Sequence, residues 1–358
     1  MSAPSTPVRS VHTLAEILSQ PEIWIACQRQ LASDSAFKAA SARLAAAKEM
    51  LFVGCGSSLY LAESAAAAWT STTGRRTRAV PASEILLFPN LCQLDVADLH
   101  VVVISRSGKT SEAIRAANFL TKKRHLPTIG ITCAVDSELS KFCDLTVALS
   151  TADEKSMVMT RSFTSMLQLL AGLAESQLSE SSSPSDVEKV SAALGSRIQA
   201  MNERIESFVA KHTFADYIYL AQGPFFPVVR EAALKVTEMS CSYAQAYHTL
   251  EFRHGPKSIV APETCLTLFL SDSAMQAESE VLVEMKQLGG TIVAICNRAP
   301  DSIRSSVDLL IELEASVPEL ALMAPFLVPA QLLGFHTGVK KGFNPDEPKN
   351  LSRVVILD

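Results

Sequence analysis

The chain carries one pattern twice. From residue 50 onward, short apolar runs that read as buried strands alternate with stretches of helical spacing. Met50–Cys55 leads into Gly56-Ser57-Ser58 and an Ala-rich helix through Trp69. After a weaker strand at Thr77–Pro81, His100–Ser105 (HVVVIS) leads into a polar turn and a helix from about Ser111. Pro127–Thr132 and Asp144–Leu149 read as further strands, with a helix near Ser137–Phe142 between them. The pattern resumes with a strand at Tyr217–Gln222 and a helix from about Pro227 to Tyr243. Strands at Cys265–Ser271 (CLTLFLS) and Thr291–Cys296 (TIVAIC) follow, with a helix between. The spacings match: Gly56 to Glu84 is 28 residues and so is Gly223 to Glu251, while Glu84 to Ser105 is 21 and Glu251 to Ser271 is 20. Lobes of this kind share some spacing by construction, but repeats this long are whole lobes and we read them as an internal duplication. Strands alternating with helices imply parallel strands. The expected fold class is therefore α/β, with two doubly wound, flavodoxin-like parallel-sheet lobes.

A chain of 358 residues suffices for two cores. It is 48% apolar but only 6% aromatic, so Ala, Leu, Val and Ile must fill them. The Ser/Pro-rich stretch Ser176–Asp186 is the best linker, followed by a long amphipathic helix from about Pro184 to Lys211. This divides the chain into residues 1–190, a leading helix plus first lobe, and 191–358, the second lobe plus a terminal tail.

A formal charge of -5 with no basic run offers nothing to nucleic acid or an anionic membrane. Met1–Thr13 is polar and lacks the apolar region of a signal peptide. The expectation is also that no uncharged apolar run approaches the roughly 18 residues of a membrane span. The eight cysteines are scattered without a C-x-x-C pair, which fits reduced thiols in the cytoplasm and neither disulfides nor a zinc site.

Two groups of residues carry chemistry. Gly54-Cys55-Gly56-Ser57-Ser58 and Ser105-Arg106-Ser107-Gly108-Lys109-Thr110 each lie where a strand ends and a helix opens. Ligands of open α/β sheets bind at that edge. Glycine allows close backbone approach, and helix N-termini offer unpaired N–H groups to an anion. Either turn alone fits an ordinary N-cap equally well. Neither has the glycine spacing of a dinucleotide site or a P-loop, which favours a monophosphate.

The second group is Glu231, Lys235 and Glu238, on one face of an otherwise apolar helix, with Glu251-Phe252-Arg253-His254-Gly255-Pro256 beyond. Charges on a buried helix cost free energy unless paired or used. Aldose–ketose interconversion needs a carboxylate to move a proton between C1 and C2, an acid/base to open the ring, and a donor at the enediolate oxygen. Glu238, His254 and Lys235 have those chemistries. The same spacing also suits a plain i,i+4 salt bridge. Of the seven histidines, only His254 sits in a polar turn near such residues; His248 reads as structural.

Together these motifs resemble the double-SIS (sugar isomerase) family. The relatives are the isomerase half of glutamine–fructose-6-phosphate amidotransferase and the tagatose-6-phosphate ketose/aldose isomerases and amino-sugar-phosphate deaminases. Cys55-Gly56-Ser57-Ser58, Ser105-x-Ser107-Gly108-x-Thr110, Glu231-x3-Lys235-x2-Glu238 and Arg253-His254-Gly255-Pro256 appear in family order, and the resemblance covers nearly the whole chain. It implies a phosphosugar isomerase or amino-sugar-6-phosphate deaminase that needs no metal or organic cofactor. Ser57, Ser58, Ser105, Arg106, Ser107 and Thr110 would hold the phosphate. Glu238 would shuttle the proton, His254 would open the ring, and Lys235 and Glu231 would orient substrate oxygens. Gly56, Cys55, Thr160 and Arg353 would complete the substrate site. A homodimer is implied, with His254 donated across its interface.

Three departures stand out. The family's S-Q-S-G-E-T turn carries Arg106 and Lys109 and is more basic. No glutaminase domain leads the sequence, which argues against glutamine-dependent synthesis. Arg353 replaces the family's imine-forming lysine, and arginine stays protonated, so isomerisation or deamination remains. Two other readings share the phosphate site: a non-catalytic sugar-phosphate sensor, and a deglycase of sugar–amine adducts. Retention of Glu238 and His254 favours catalysis over the sensor.

Overall fold

The computed structural model describes residues 10–178 and 185–357. It divides them into two compact units. One unit, the first lobe, holds residues 22–154, 161–178, 185–188 and 352–357; the other, the second lobe, holds 10–21, 155–160 and 189–351. The chain thus passes from lobe to lobe several times, where a single crossing near 190 was the expectation.

The first lobe is a five-stranded parallel sheet of β1 (Glu49–Gly54), β2 (Arg76–Pro81), β3 (Leu99–Ile104), β4 (Thr128–Thr132) and β5 (Leu145–Ala148), in the order β2-β1-β3-β4-β5. β1 and β3 are buried throughout, as their unbroken apolar runs require. Leu51, Val53, Val101 and Val103 face one way, against Ile85, Ala113, Ala117 and Leu120. Phe52 faces the other way and meets Trp69 of the Ser57–Thr73 helix, ring centroids 6.3 Å apart.

The second lobe repeats this plan with β6 (Asp216–Ala221), β7 (Tyr243–His248), β8 (Thr264–Leu270), β9 (Thr291–Cys296) and β10 (Leu309–Glu312). Its order, β7-β6-β8-β9-β10, is again parallel and again 2-1-3-4-5 when counted within the lobe. The expected α/β class and duplication are both present.

Several elements differ from expectation. β7 lies where a helix was read to run on to Tyr243. The Phe226–Ser240 helix stops because Cys241 turns left-handed, φ 48°, and the half-polar YAQAYH that follows forms a part-exposed sheet edge. β10 went unread because its four residues are too few to show a period. The Ser137–Phe142 segment makes only a short 3-10 turn, Glu138–Lys141. The long helix to Lys211 is two, Ser185–Gly195 and Ile198–Lys211. Pro184 and most of the Ser-rich linker, like residues 1–9, lie outside the described residues.

The apolar-run expectation fails at one place. Residues 320–339 hold no charged side chain, and Glu319–Lys340 is long and apolar enough to cross a membrane, but 89% of its apolar window is buried inside the structure. The Met323–Lys340 helix is a core element of the second lobe. A Cβ placed on Gly338 would sit 2.2 Å from the Met239 carbonyl oxygen, so only glycine lets this helix lie so close to Phe226–Ser240. His336 Nε2 meets Asn202 Oδ1 at 2.8 Å on the Ile198–Lys211 helix.

Candidate active site

In the first lobe the two serine-rich turns leave the carboxyl ends of adjacent strands, β1 and β3, where the chain order of the sheet reverses. Gly56 takes φ 56° to turn β1 into the Ser57–Thr73 helix, and Ser57 and Ser58 are buried in its first turn. Gly108 takes φ 58°, and a Cβ there would lie 2.3 Å from Ser137 Cβ, so glycine is required twice over. Ser105 Oγ donates to Thr110 Oγ1 at 3.3 Å, and Ser107 Oγ accepts the Lys109 N–H at 3.2 Å. The N-cap positions of the two helices, Gly56 and Thr110, make no side-chain cap. The ordinary-cap reading therefore does not account for these turns.

Other first-lobe residues have different surroundings. Burial and the nearby Glu112 charge push the Cys55 thiol up to about 11, which favours the protonated thiol over the thiolate at neutral pH. Arg106 is buried, with its guanidinium 3.5 Å from Glu154 and donating to the Arg353 carbonyl at 3.1 Å. The extra charge expected to make this turn basic is thus matched by a buried carboxylate. The Arg353 side chain pairs with Asp153 at 2.7 Å.

In the second lobe, Glu231, Lys235 and Glu238 share one face of the Phe226–Ser240 helix. Lys235 Nζ lies 3.1 Å from Glu231 Oε1 and bonds Glu238 Oε2. Glu231 and Lys235 are fully buried, and Glu238 is 14% exposed at its side chain. Burial works against the Lys235 charge, but Glu231 and Glu238 outweigh it and hold the ammonium above the usual lysine range. A surface pair of this spacing contributes about 0–1 kcal/mol. A buried trio has a desolvation cost that the surface reading does not explain.

His254 stands exposed after the Glu251–Arg253 turn, its N–H on the Glu251 carbonyl at 3.0 Å. Neighbouring Arg253 and Lys257 both grip Glu284 at 2.7 Å and fix the loop. His248 stacks on Phe226 with centroids 3.7 Å apart, and burial lowers its pKa. Thr160 is buried, and its carbonyl accepts from Gln331 Nε2 at 3.3 Å. The start of its loop is held by Glu16, which takes the N–H groups of Lys155 (2.6 Å) and Ser156 (3.3 Å).

One functional-looking group escaped the sequence reading. Glu278, fully buried, accepts from the Ser271 N–H at 2.7 Å, Ser271 Oγ at 3.0 Å and Thr249 Oγ1 at 3.5 Å, and from the Gln222 backbone. Those three residues each follow directly on a strand: β6, β7 and β8. Burial pushes Glu278 up to about 7 against the pull of these bonds. The signal was present: Glu278 comes seven residues after Ser271, as Glu112 does after Ser105.

Known proteins match along both lobes. The SIS domain family matches residues 43–176 and 218–337. A glutamine–fructose-6-phosphate aminotransferase (isomerizing) of Pyrobaculum aerophilum is 27% identical over 96% of this chain and 57% of its own length. The enzyme of the same name from Sulfurisphaera tokodaii is 26% identical over 72% of this chain and 42% of its own. The chain spans about half the length of the curated relatives it matches. Among solved structures, glucosamine-6-phosphate deaminase from Thermotoga maritima is 29% identical, covers 96% of this chain and 99% of its own, and gives a TM-score of 0.78. Tagatose-6-phosphate ketose/aldose isomerase from Escherichia coli, 23% identical over 99% and 98%, gives 0.84 and so shares the fold. With one SIS segment on each sheet, together more than half of its residues, this chain belongs to the SIS domain family.

Proposed function

We propose that the chain is a sugar-phosphate enzyme acting on a hexose or hexosamine 6-phosphate: it interconverts an aldose and a ketose, or converts an amino sugar to a ketose with uptake of water and release of ammonia. The observation that carries this reading is the buried Glu231–Lys235–Glu238 trio, because a desolvated ammonium between two carboxylates suits proton transfer beside a carbonyl. Glu238, the one member open to solvent, takes the proton from one of the carbons C1 and C2 and returns it to the other. Lys235 stabilises the oxygen that gains charge, and Glu231 holds Lys235 charged. Ser57, Ser58, Ser105, Ser107 and Thr110 hold the phosphate. His254 opens the ring, donated from the second subunit of a homodimer. Deamination is favoured by likeness to the Thermotoga maritima deaminase over 96% of this chain and 99% of that one. Eight free cysteines, several with pKa values raised by burial, suit the reducing cytoplasm.

The test is to offer glucosamine-, galactosamine-, fructose- and tagatose-6-phosphate and to follow both ammonia and ketose. Turnover of none of them would sink the reading. The donated histidine has its own check. Mixing inactive Glu238→Gln chains with inactive His254→Asn chains should restore activity, since one site of each hybrid dimer is then intact. No restoration means His254 serves its own subunit.

A further inference from the structure

The side chain of His254 is exposed, and its backbone joins two short 3-10 turns, Glu251–Arg253 and Pro256–Ile259. Gly255 follows it at φ 118°, a conformation that glycine alone adopts freely. Glycine also has more backbone freedom than any other residue, so a histidine beside it needs restraint from outside the turn.

That restraint comes from one carboxylate. Arg253 Nε donates to Glu284 Oε2 and Lys257 Nζ donates to Glu284 Oε1, both at 2.7 Å. The two cations flank His254, one residue before it and three after. One bridge would leave the turn free to swing about a point, and two fix it. The Lys257 hydrogen bond, opposed by burial and helped by Arg253, holds the Glu284 carboxyl below the usual carboxylate range, so it is ionised at neutral pH. Glu284 stands on a firm base. Its helix, Met275–Gln287, buries Val281, Leu282 and Met285 in one core with Leu268 of β8 and Ile292 of β9. The Pro256–Ile259 turn has no buried residue, and Lys257 ties it to that helix. Part-exposed pairs of this kind add little to stability. Their use is geometric. A general acid or base must come within about 2.6–3.2 Å of its proton, and a misplacement of about 1 Å costs up to ~100-fold in rate.

We propose, resting on the proposed role of His254, that Glu284 is a positioning residue: by bridging Arg253 and Lys257 it sets His254 for ring opening. In that step a proton leaves the anomeric hydroxyl, the bond between the anomeric carbon and the ring oxygen breaks, and the ring oxygen gains a proton. No atom is gained or lost. A sugar that is already open needs none of this. Loosening the bridges should therefore slow closed sugars and spare open ones, which general damage to the site would not do.

The experiment follows exchange of the C1 protons in D2O with ammonium present. It uses fructose 6-phosphate or tagatose 6-phosphate, whichever reacts, and its 5-deoxy analogue, which lacks the hydroxyl that closes the ring. Glu284→Gln should lower kcat/KM about 10–100-fold for the ring-forming ketose and leave it within about twofold for the 5-deoxy analogue. The melting temperature should move by no more than about 4 °C. Hydrogen exchange of the His254 amide, which donates to the Glu251 carbonyl at 3.0 Å, should speed up about tenfold. The double variant Arg253→Gln, Lys257→Met removes both bridges from the other end and should match Glu284→Gln; adding Glu284→Gln to it should change nothing further. That double variant carries the test if Glu284→Gln does not fold. Equal slowing of both ketoses overturns the proposal, as does an unchanged rate for the ring-forming one. Reaction of neither ketose with the unaltered chain, with His254 amide exchange altered as expected, would instead remove the sugar-phosphate assignment and leave Glu284 as the clamp of this loop.

Discussion

The two lobes share one topology and use its ligand-binding edge in opposite ways. In the first, Ser105 gives its N–H to Ile131 in the sheet and its hydroxyl to Thr110, and six residues separate β3 from the next helix. In the second, the corresponding Ser271 gives both donors to Glu278, and only four residues precede the helix that starts at Met275. The shorter turn brings the helix forward, so a glutamate at the same sequence distance sits one turn in and reaches back over the strand ends. The edge that carries hydroxyl-lined turns in one lobe is closed by a carboxyl in the other. Duplication preserved the scaffold, and a difference of two residues in turn length separates the turn that Glu278 closes from the one it matches in the first lobe.

The contrast predicts that second-lobe changes act on turnover and stability while first-lobe changes act on affinity. The largest effect belongs to Glu238→Gln, which should cut kcat by roughly 10²–10⁴-fold while leaving sugar-phosphate affinity intact. Normal turnover there would erase the division of labour. Next, Lys235→Ala leaves two acids facing each other in the core and should lower stability by about 3–5 kcal/mol in denaturant unfolding.

Glu278 comes third. Its pKa rises from 4.5 to about 7 on folding, so between those values the folded chain binds a proton that the unfolded chain has lost. Stability must therefore fall as pH rises through that window, by about 3 kcal/mol in all. Glu278→Gln should flatten that slope, and an unaltered slope would show that other groups set it. The smallest effects are expected in the first lobe. Ser105→Ala or Thr110→Ala removes one hydroxyl from a charged ligand, worth about 1.5–3 kcal/mol of phosphate affinity, read by titration with the sugar phosphate at constant kcat.

Much of this molecule was legible in its sequence because parallel strands buried on both faces read as unbroken apolar runs, as HVVVIS and TIVAIC do. β7 was not legible, since an edge strand bears polar residues and its YAQAYH has neither pure alternation nor a continuous run. The charged face of the Phe226–Ser240 helix was visible from spacing, but its burial was not. Spacing gives the same pattern for a surface pair and for a core trio. Glu278 was hidden because its partners, Gln222, Thr249 and Ser271, are far apart along the chain and meet only at the ends of paired strands.

Sequence alone determined the fold class, the duplication and the residue types at each turn, because these depend on local period and on the backbone freedom of glycine. Tertiary structure decided which charges are satisfied and by whom. Arg106 looked like part of an anion seat until Glu154 and the Arg353 carbonyl were found around it. A side chain's partners are set by the packing of distant segments, and electrostatic energy depends on that distance and burial and not on order along the chain.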